Sequence, residues 1–173
     1  KTEARQKLAG NNTLQPNDFV IGAVGRLAYP KNMAFLIEEF SKIKKIVPTA
    51  KLAIIGEGPE RAMLEQKIRD AQYTTDITLC GAIPHAETLF RGFDMLIIPS
   101  TYEGVPYVAL EALAAELPVL FSDVGGLPEL VPPQFLFSIK RKNFEQQFTT
   151  LAHEHFPTPT LYKEYTLTSM VEE

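Results

Sequence analysis

Two glutamates eight positions apart are the side chains best placed to do chemistry in this sequence. Glu103 stands in a short polar loop after the apolar run at residues 95–98, and Glu111 lies in the apolar stretch that follows Pro106. The apolar run predicts a buried strand, and Pro106 is typical of the first turn of a helix. Free amides at a helix N-terminus attract phosphate, and carboxylates accept hydrogen bonds from hydroxyls. The segment is therefore suited to a phosphorylated, hydroxyl-rich ligand.

Two cations follow the first predicted strand. Arg26 offers a planar fork that matches phosphate oxygens, and Lys31 supplies a mobile point charge. Cations near a helix N-terminus are unfavourable unless an anion joins them. We therefore expect Arg26, Lys31 and the amides of the helix predicted at residues 106–115 to hold a diphosphate. The alternative is a solvated pair at the start of a helix.

The two glutamates suit the sugar parts of such a ligand. Glu111 lies about five residues into its helix, roughly 7.5 Å along the axis, which matches a ribose attached to a phosphate at the helix start. A carboxylate commonly grips ribose through its vicinal hydroxyls. Glu103 precedes the helix and could reach a sugar beyond the diphosphate. The alternative for Glu111 is a surface helix residue, although its neighbours are mostly apolar.

Short apolar runs alternate with amphipathic segments, which predicts the elements that position these residues. Strands are expected at residues 19–24, 51–55, 77–80, 95–98, 118–121 and 135–137. Helices are expected at residues 34–47, 59–71, 86–91, 106–115, 127–131 and, with a polar character, from about 141 onward. Leu64, Ile68 and Ala71 are expected to face the core. The fold class is α/β, a doubly wound, Rossmann-like parallel sheet with ligands at the carboxyl ends of its strands.

Composition limits the class of protein. The 173 residues, 45% hydrophobic and 22% charged, fit a single domain with a full core. A net charge of −4 argues against a nucleic-acid binder. The single cysteine, Cys80, rules out an internal disulfide and suits a reducing cytosol. Apolar runs fall far short of the roughly 20 residues of a membrane span.

Other kinds of site have little support. The sequence has no P-loop, no GxGxxG after the first strand and no Asp-x-Asp. His153 and His155 lack cysteine partners, and Asp94 precedes its strand, where a structural role is expected. Both ends read as cut, so residues 1–173 are expected to be one domain excised from a longer protein. The alternative is a small protein with frayed ends.

Taken together, these residues resemble the C-terminal domain of a family-4, GT-B-fold retaining glycosyltransferase. The resemblance covers residues 1–131, and Glu103 and Glu111 form the E-x7-E motif of that family. The further matching positions, in chain order, are Val24-Gly25-Arg26-Leu27, Lys31-Asn32, Ile55-Gly56-Glu57-Gly58-Pro59, Pro99-Ser100, Gly104-Val105-Pro106, Ala112, Gly125-Gly126 and Glu129.

The resemblance implies a set of roles. Arg26 and Lys31 correspond to the diphosphate-binding cations, Glu111 to the ribose-binding glutamate and Glu103 to the residue facing the transferred hexose. Catalysis is implied for Arg26, Lys31 and Glu103. The implied donor-binding residues are Gly25, Arg26, Lys31, Gly58, Ala82, Ile83, Glu103, Gly104, Val105, Pro106, Tyr107, Val108 and Glu111, with the backbone around Ala82 and Ile83 at the base. Many members have glycine where this chain has Pro106, and proline removes one amide there.

The implied activity is transfer of a hexosyl group from a nucleoside diphosphate sugar to an acceptor hydroxyl, with retention of configuration. The nucleotide sugar is a substrate, and no cofactor or metal is expected. Residues 1–173 would be the single nucleotide-sugar-binding, Rossmann-like domain of a longer two-domain protein. An N-terminal domain in cis would bind the acceptor, so the isolated domain is expected to be inactive. Bacterial polysaccharide, lipopolysaccharide or envelope glycan synthesis is the expected setting. The whole protein is expected in the cytoplasm, at the inner face of the membrane, with peripheral association through the other domain. The alternatives are another GT-B enzyme, such as an epimerase or a phosphorylase, and a non-catalytic α/β regulatory domain.

Overall fold

One parallel sheet organises the part of the chain that the computed structural model describes, which is residues 1–10, 12–104, 106–126, 128, 133–140 and 142–154. Six strands lie there in the order β3-β2-β1-β4-β5-β6. They are β1 (Phe19–Val24), β2 (Ala50–Ile55), β3 (Ile77–Gly81), β4 (Met95–Ile98), β5 (Val119–Ser122) and β6 (Leu136–Phe137). All neighbouring pairs are parallel, which confirms the predicted α/β, Rossmann-like class.

The order of the strands creates a crevice beside β1. Strands β2 and β3 follow on one side of β1, whereas β4, β5 and β6 follow on the other. The direction of winding therefore reverses between β1 and β4, which are hydrogen-bonded neighbours with Ile21 opposite Met95. Ligands of doubly wound sheets bind at such a switch point, outside the carboxyl ends of the strands. The loops after β1 and β4 are thus the first place to look for a site.

Helices connect the strands. They are α1 (Thr2–Leu8), α2 (Met33–Ile46), α3 (Arg61–Asp70), α4 (Tyr107–Ala114) and α5 (Phe144–Glu154), with 3₁₀ turns at Tyr29–Lys31, Ala86–Gly92 and Pro133–Phe135. Helix α2 contacts α3 and α5, while the 3₁₀ turn before β4 contacts α1 and α4. These two groups cover the sheet. No helix among the described residues is long and apolar enough to cross a bilayer.

The core follows from the expected periodicities. In α2, the buried residues Leu36, Phe40 and Ile43 recur at helical spacing. The central strand β1 is buried except at its last residue. At Gly22 of this strand there is no space for a side chain. A Cβ at Gly22 would come within 2.5 Å of the Phe93 ring. This glycine lets the segment before β4 pack directly onto the middle of the sheet.

Two carboxylates anchor the amino ends of the strands. Asp94 accepts a bond from Arg5 at 2.6 Å and one from the Val20 amide at 2.8 Å. The Arg5 side chain is 8% exposed. This pair ties α1 to β1 and β4 on the side of the sheet opposite the crevice, so Asp94 has the structural position expected of it.

Asp76 is the second of these carboxylates, and it anchors the amino end of β3. Lys51 and Lys44 approach its carboxylate at 2.9 and 3.3 Å. Burial by itself raises the pKa of Asp76, but the hydrogen bond and charge of Lys51, together with the charge of Lys44, outweigh burial and leave that pKa below its ordinary value. The ionised carboxylate is therefore favoured by folding.

Helix α3 departs from its predicted limits of 59–71. The amide of Glu60 donates to the Leu27 carbonyl at 3.0 Å, and the amide of Arg61 donates to the Gly58 carbonyl at 3.1 Å. These bonds form a turn against the loop after β1, so the helix begins only at Arg61. Leu64 and Ile68 are buried as expected. Ala71 is exposed, which corrects the prediction, because the helix ends at Asp70 and the chain turns at the following residues.

The last described helix is less polar than expected. Phe144, Phe148 and Leu151 of α5 are buried at helical spacing, and the Phe144 ring lies 5.0 Å from that of Phe137 in β6. The expectation of a polar segment from about residue 141 is therefore wrong for α5. Most of the helix predicted at 127–131 and the segment beyond 154, including His155, fall outside the described residues.

Candidate functional site

The carboxyl ends of β1 and β2 come together through glycines. A Cβ at Gly56 would meet the Gly25 carbonyl oxygen at 1.8 Å, and one at Gly58 would meet the Leu27 carbonyl oxygen at 2.3 Å. The Leu27 amide donates to the Glu57 carbonyl at 2.9 Å, which continues the pairing beyond the strands. Gly58, predicted to bind the donor, therefore has a packing reason to be glycine as well. These contacts fix the path of the loop that carries the cations.

Lys31 reaches the crevice because the loops after β1 and β4 are joined. Asn32 donates from Nδ2 to the Pro99 carbonyl at 3.2 Å. The Thr101 amide donates to the Pro30 carbonyl at 2.9 Å. Asn32 adopts a left-handed conformation, with φ at 51°, between the 3₁₀ turn and α2. The turn that ends at Lys31 is consequently held against the start of the Glu103 loop.

Lys31 and Glu103 form an ion pair at this junction. The Lys31 Nζ lies 2.9 Å from Oε1 and 2.7 Å from Oε2 of Glu103. The side chains are 25% and 12% exposed, respectively. Partial burial reduces screening by water, so the two charges interact more strongly than an exposed pair would. The predicted phosphate-binding cation and the predicted sugar-binding carboxylate are therefore direct partners.

Buried groups hold Glu103 from the other side. Ser100 donates from Oγ to Glu103 Oε2 at 2.8 Å. Ser122, at the end of β5, donates from Oγ to the Ser100 carbonyl at 2.6 Å, and both serines are fully buried. At Gly125, with φ at +60°, a Cβ would lie 1.6 Å from the Glu103 carbonyl oxygen. The position of Glu103 is thus set by the loops after three neighbouring strands.

Arg26 has a fixed backbone and an exposed side chain. Its carbonyl accepts from the Ala28 amide at 2.9 Å, and the next residue, Leu27, is buried. The guanidinium forms no ion pair among the described residues and faces solvent beside the crevice. The structure therefore leaves Arg26 accessible to an anionic ligand at the end of β1.

Helix α4 begins where an anion site was predicted. Pro106 is buried and extended, and it makes no side-chain cap among the described residues. Tyr107 is 82% exposed, whereas Val108 packs partly against the core. Glu111 is the fifth residue of the helix and is exposed. Glu111 is therefore open to a ligand from solvent, and its role in binding ribose stays a prediction. Gly104 precedes this helix, and a Cβ added there would meet nothing within 4 Å, while Val105 lies outside the described residues.

Ala82 and Ile83 follow β3 at the outer edge of the sheet. Ala82 is exposed, and Ile83 packs partly against the core. Gly81, with φ at +76°, lies beside the Glu57 carboxylate, and a Cβ there would be 3.2 Å from Oε1. These residues lie two strands away from Lys31, on the same rim of the sheet. A base is expected there only if the ligand extends across β2.

The structure thus joins some predicted site residues and leaves others apart. It brings Lys31 and Glu103 into contact, while Arg26 and Glu111 remain unpaired among the described residues. The sequence reasoning did not predict the contact of Lys31 with Glu103, nor any role for Ser100, Ser122 and the backbone of Gly125. Small or polar residues at the carboxyl ends of the buried strands β4 and β5, or within three residues of them, were the signal available for these three.

Two cavities lie elsewhere in the part of the chain that the structure describes. A cavity of about 550 Å³ lies near the amino end of β1, between α1 and residues 12–16. Another of about 470 Å³ lies beside α3 and β3. Lys31 and Glu103 line neither of these two cavities. The part of the chain that the structure describes contains no group of three or more His, Cys, Asp or Glu side chains arranged to hold a metal ion.

A family model supplies the classification. The model of the glycosyl transferases group 1 matches residues 18–153, and this chain belongs to that family. The match continues well past residue 131, where the sequence motifs end. The predicted resemblance to a C-terminal GT-B glycosyltransferase domain is confirmed.

Known proteins agree with this classification. The uncharacterized glycosyltransferase MJ1607 of Methanocaldococcus jannaschii is 37% identical over 120 residues, which cover 68% of this chain and 30% of that protein. The C-terminal domain of a glycosyl transferase group 1 family protein (LpcC) from Francisella tularensis superimposes with a TM-score of 0.67 at 25% identity, covering 92% of this chain and 84% of that one. Anabaena Alr3699/HepE, solved in complex with UDP and glucose, has a TM-score of 0.77 at 22% identity and shares the fold, over 93% of this chain and 44% of its own. This chain spans about a third or less of the curated relatives that it matches, between 27% and 33% of their length.

Proposed function

We propose that this chain is the donor-binding domain of a glycosyltransferase that moves a hexosyl group from a nucleoside diphosphate sugar to an acceptor hydroxyl with retention of configuration. The observation that carries the proposal is the contact of Lys31 with Glu103 at the switch point of the sheet. A cation for phosphate and a carboxylate for sugar hydroxyls stand side by side there. Family membership supports the same reading.

The diphosphate is assigned to the cationic side of the crevice. Lys31 has three N–H donors, of which at most two are needed for the oxygens of Glu103, so one remains for a phosphate oxygen. Arg26 is exposed at the end of the same strand and adds a bidentate donor. The first-turn amides of α4 supply the remaining positive potential.

The sugars are assigned to the carboxylates. Glu103 is proposed to accept from a hydroxyl of the transferred hexose, and Glu111 from the ribose of the nucleotide. The base is proposed to lie along the rim toward Ala82 and Ile83. The remaining donor contacts are assigned to Gly25, Gly58, Gly104, Val105, Pro106, Tyr107 and Val108.

The catalytic contribution of this domain would be electrostatic. When the bond between the hexose and the diphosphate breaks, negative charge builds up on the departing phosphate. Arg26, Lys31 and the helix amides would stabilise that charge. Because these groups supply the positive charge, we propose that donor binding needs no divalent metal, and binding should be the same with and without EDTA.

The acceptor side is assigned to a second domain of the whole protein. We propose that an N-terminal domain binds the acceptor and that this chain alone binds donor without transferring sugar. Synthesis of a polysaccharide or envelope glycan on the cytoplasmic side of a membrane is the proposed setting. Retention of configuration is supported by the Glu103–Glu111 spacing, which resembles that of retaining members.

The test is nucleotide binding by the chain, measured by isothermal titration calorimetry and ¹H–¹⁵N NMR with UDP, GDP and ADP. We expect one of them to bind and to shift the amides around Arg26, Lys31 and Glu111. Failure of all three to bind at about 1 mM, an affinity worth only about 4 kcal/mol, would overturn the proposal. A GT-B epimerase would differ by interconverting sugar nucleotides without an acceptor, and a regulatory α/β domain would bind none of the three.

A further inference from the structure

The carboxylate of Glu103 accepts a hydrogen bond from Ser100, a residue to which the proposed function assigns no role. Ser100 is the second residue after β4 and is fully buried. Its Oγ donates to Glu103 Oε2 at 2.8 Å. A hydrogen bond to a charged group contributes more than one between neutral groups, and within a poorly screened site it also fixes direction. Ser100 therefore restricts where the carboxylate can point.

Ser100 is itself held in place. The Ser122 hydroxyl donates to the Ser100 carbonyl at 2.6 Å, and Ser122 is also fully buried. Ser122 is the last residue of β5, which pairs with β4 from Val119 to Phe121, and Ser122 itself pairs with Phe137 of β6. The hydroxyl of Ser100 is thus held in a fixed position relative to the sheet, although Glu103 stands in a loop. A group on a loop gains a defined position when buried neighbours of this kind support it.

The two oxygens of Glu103 are not equivalent. A carboxylate offers about four acceptor positions, two on each oxygen. Oε2 accepts from both Lys31 and Ser100, whereas among the described residues Oε1 accepts from Lys31 alone. Ser100 and Lys31 together fill Oε2, and Oε1 keeps capacity for one more donor. That oxygen is the one able to receive a hydroxyl from a ligand.

We propose that Ser100 is a positioning residue for sugar recognition: its buried hydroxyl, fixed by Ser122, holds Oε2 of Glu103 so that Oε1 accepts from a hydroxyl of the hexosyl group of the donor. The inference rests on the proposed function, because it assigns the ligand group that Oε1 receives. Ser100 touches neither donor nor acceptor in this scheme and acts through Glu103. Its contribution should therefore appear in the affinity for the sugar and not in that for the nucleotide.

The experiment compares UDP with UDP-glucose by calorimetry for the wild-type chain, Ser100→Ala, Ser100→Cys and Ser100→Thr. GDP with GDP-mannose and ADP with ADP-glucose are used in the same way if the chain selects another base. Alanine removes the hydroxyl, cysteine keeps the shape but is a weak donor, and threonine keeps the hydroxyl. We expect Ser100→Ala and Ser100→Cys to weaken UDP-glucose binding about fivefold or more, while UDP binding stays within about twofold. Ser100→Thr should bind both ligands with affinities close to those of the wild-type chain.

Loss of affinity for UDP and UDP-glucose by the same factor would show a merely structural effect and overturn the inference. So would unchanged affinity for both ligands in variants whose thermal unfolding shows them folded. Cysteine preserves the packing of serine, so UDP and UDP-glucose affinities can still be compared in Ser100→Cys if the alanine variant is unstable.

A second readout needs no ligand, and it separates this inference from the proposed function. The ammonium signal of Lys31 in ¹H–¹⁵N spectra reports its contact with Glu103. In Ser100→Ala it should move toward its position in Glu103→Gln, because a released carboxylate holds Lys31 less well. A signal unmoved by Ser100→Ala would overturn the positioning role whether or not any nucleotide binds. Absence of nucleotide binding by the wild-type chain would overturn the proposed function.

Discussion

Lys31 Nζ lies within 2.9 Å of both carboxylate oxygens of Glu103, although the two residues are 72 positions apart in the sequence. The loop after β1 supplies the cation and the loop after β4 supplies the anion. Under the proposed function, an incoming diphosphate would therefore meet a lysine whose charge is already partly balanced. Glu103 should therefore favour the sugar part of a donor and oppose the binding of a bare nucleotide.

Glu103→Gln tests this balance. The substitution removes the negative charge beside Lys31, so UDP should bind about three- to tenfold more tightly, in keeping with the loss of one partly screened repulsion. The additional affinity that glucose gives to UDP-glucose should fall, because a neutral amide oxygen accepts a weaker bond than a carboxylate. Calorimetry with both ligands measures the two effects. Glu3→Gln removes the same charge from the exposed surface of α1 and serves as the control. Weaker UDP binding by Glu103→Gln would contradict the prediction.

Arg26→Ala and Glu111→Ala should each weaken nucleotide binding by about 1–3 kcal/mol, because each loses charge-assisted hydrogen bonds to the ligand. Both side chains are exposed, so the thermal unfolding midpoint should change little. Arg91→Ala and Glu3→Ala remove the same kinds of charge from exposed positions away from the crevice, and they control for net charge. Unchanged nucleotide affinity in both folded variants would show that neither Arg26 nor Glu111 belongs to the binding site.

Gly125→Ala should displace the Glu103 loop. The new Cβ would meet the Glu103 carbonyl oxygen at 1.6 Å, and the φ of +60° disfavours any side chain. We expect the free energy of unfolding to fall by about 1–3 kcal/mol or more, as measured by urea denaturation. The matched comparison for stability is Gly104→Ala, since a Cβ at that position meets nothing within 4 Å. Equal stability of the two variants would contradict the close approach seen in the structure.

Asp76→Asn should show a stability deficit that depends on pH. The pKa of Asp76 is lowered in the folded chain, so its stabilising contribution is complete above the ordinary value of 3.8 and is lost as the pH falls through the lower folded value. At pH 7 we expect the variant to be about 1–2 kcal/mol less stable, through loss of the Lys51 and Lys44 contacts. The difference from wild type should stay constant from about pH 7 to 5 and shrink below about pH 4.

Urea denaturation across that pH range measures the effect, with the exposed Asp70→Asn as control. A deficit that is the same at pH 7 and at pH 3 would show that Asp76 stabilises through packing and not through its charge.

Much of the fold could be read from the sequence. The strands at Phe19–Val24 and Met95–Ile98 were predicted to the residue, and α2 and α4 within one residue at each end. Apolar periodicity is a local signal, so neighbouring residues suffice to recognise it. The exceptions are segments whose local pattern predicts one structure while contacts with residues distant in the sequence impose another. Pro59 and Glu60 read as helix, but the Glu60 amide donates to the Leu27 carbonyl in the loop after β1, and α3 begins only at Arg61.

The sequence by itself determined the residue types and their order: Arg26 and Lys31 after β1, Glu103 before α4 and Glu111 within it. Tertiary structure decided which of them meet. Lys31 contacts Glu103 because β1 and β4 are neighbours at the switch point, and Ser122 reaches Ser100 because β5 is the next strand. These contacts join residues far apart in the chain and depend on strand order and loop path. Local periodicity carries no information on either, because it describes the environment of a residue and not the identity of its partner.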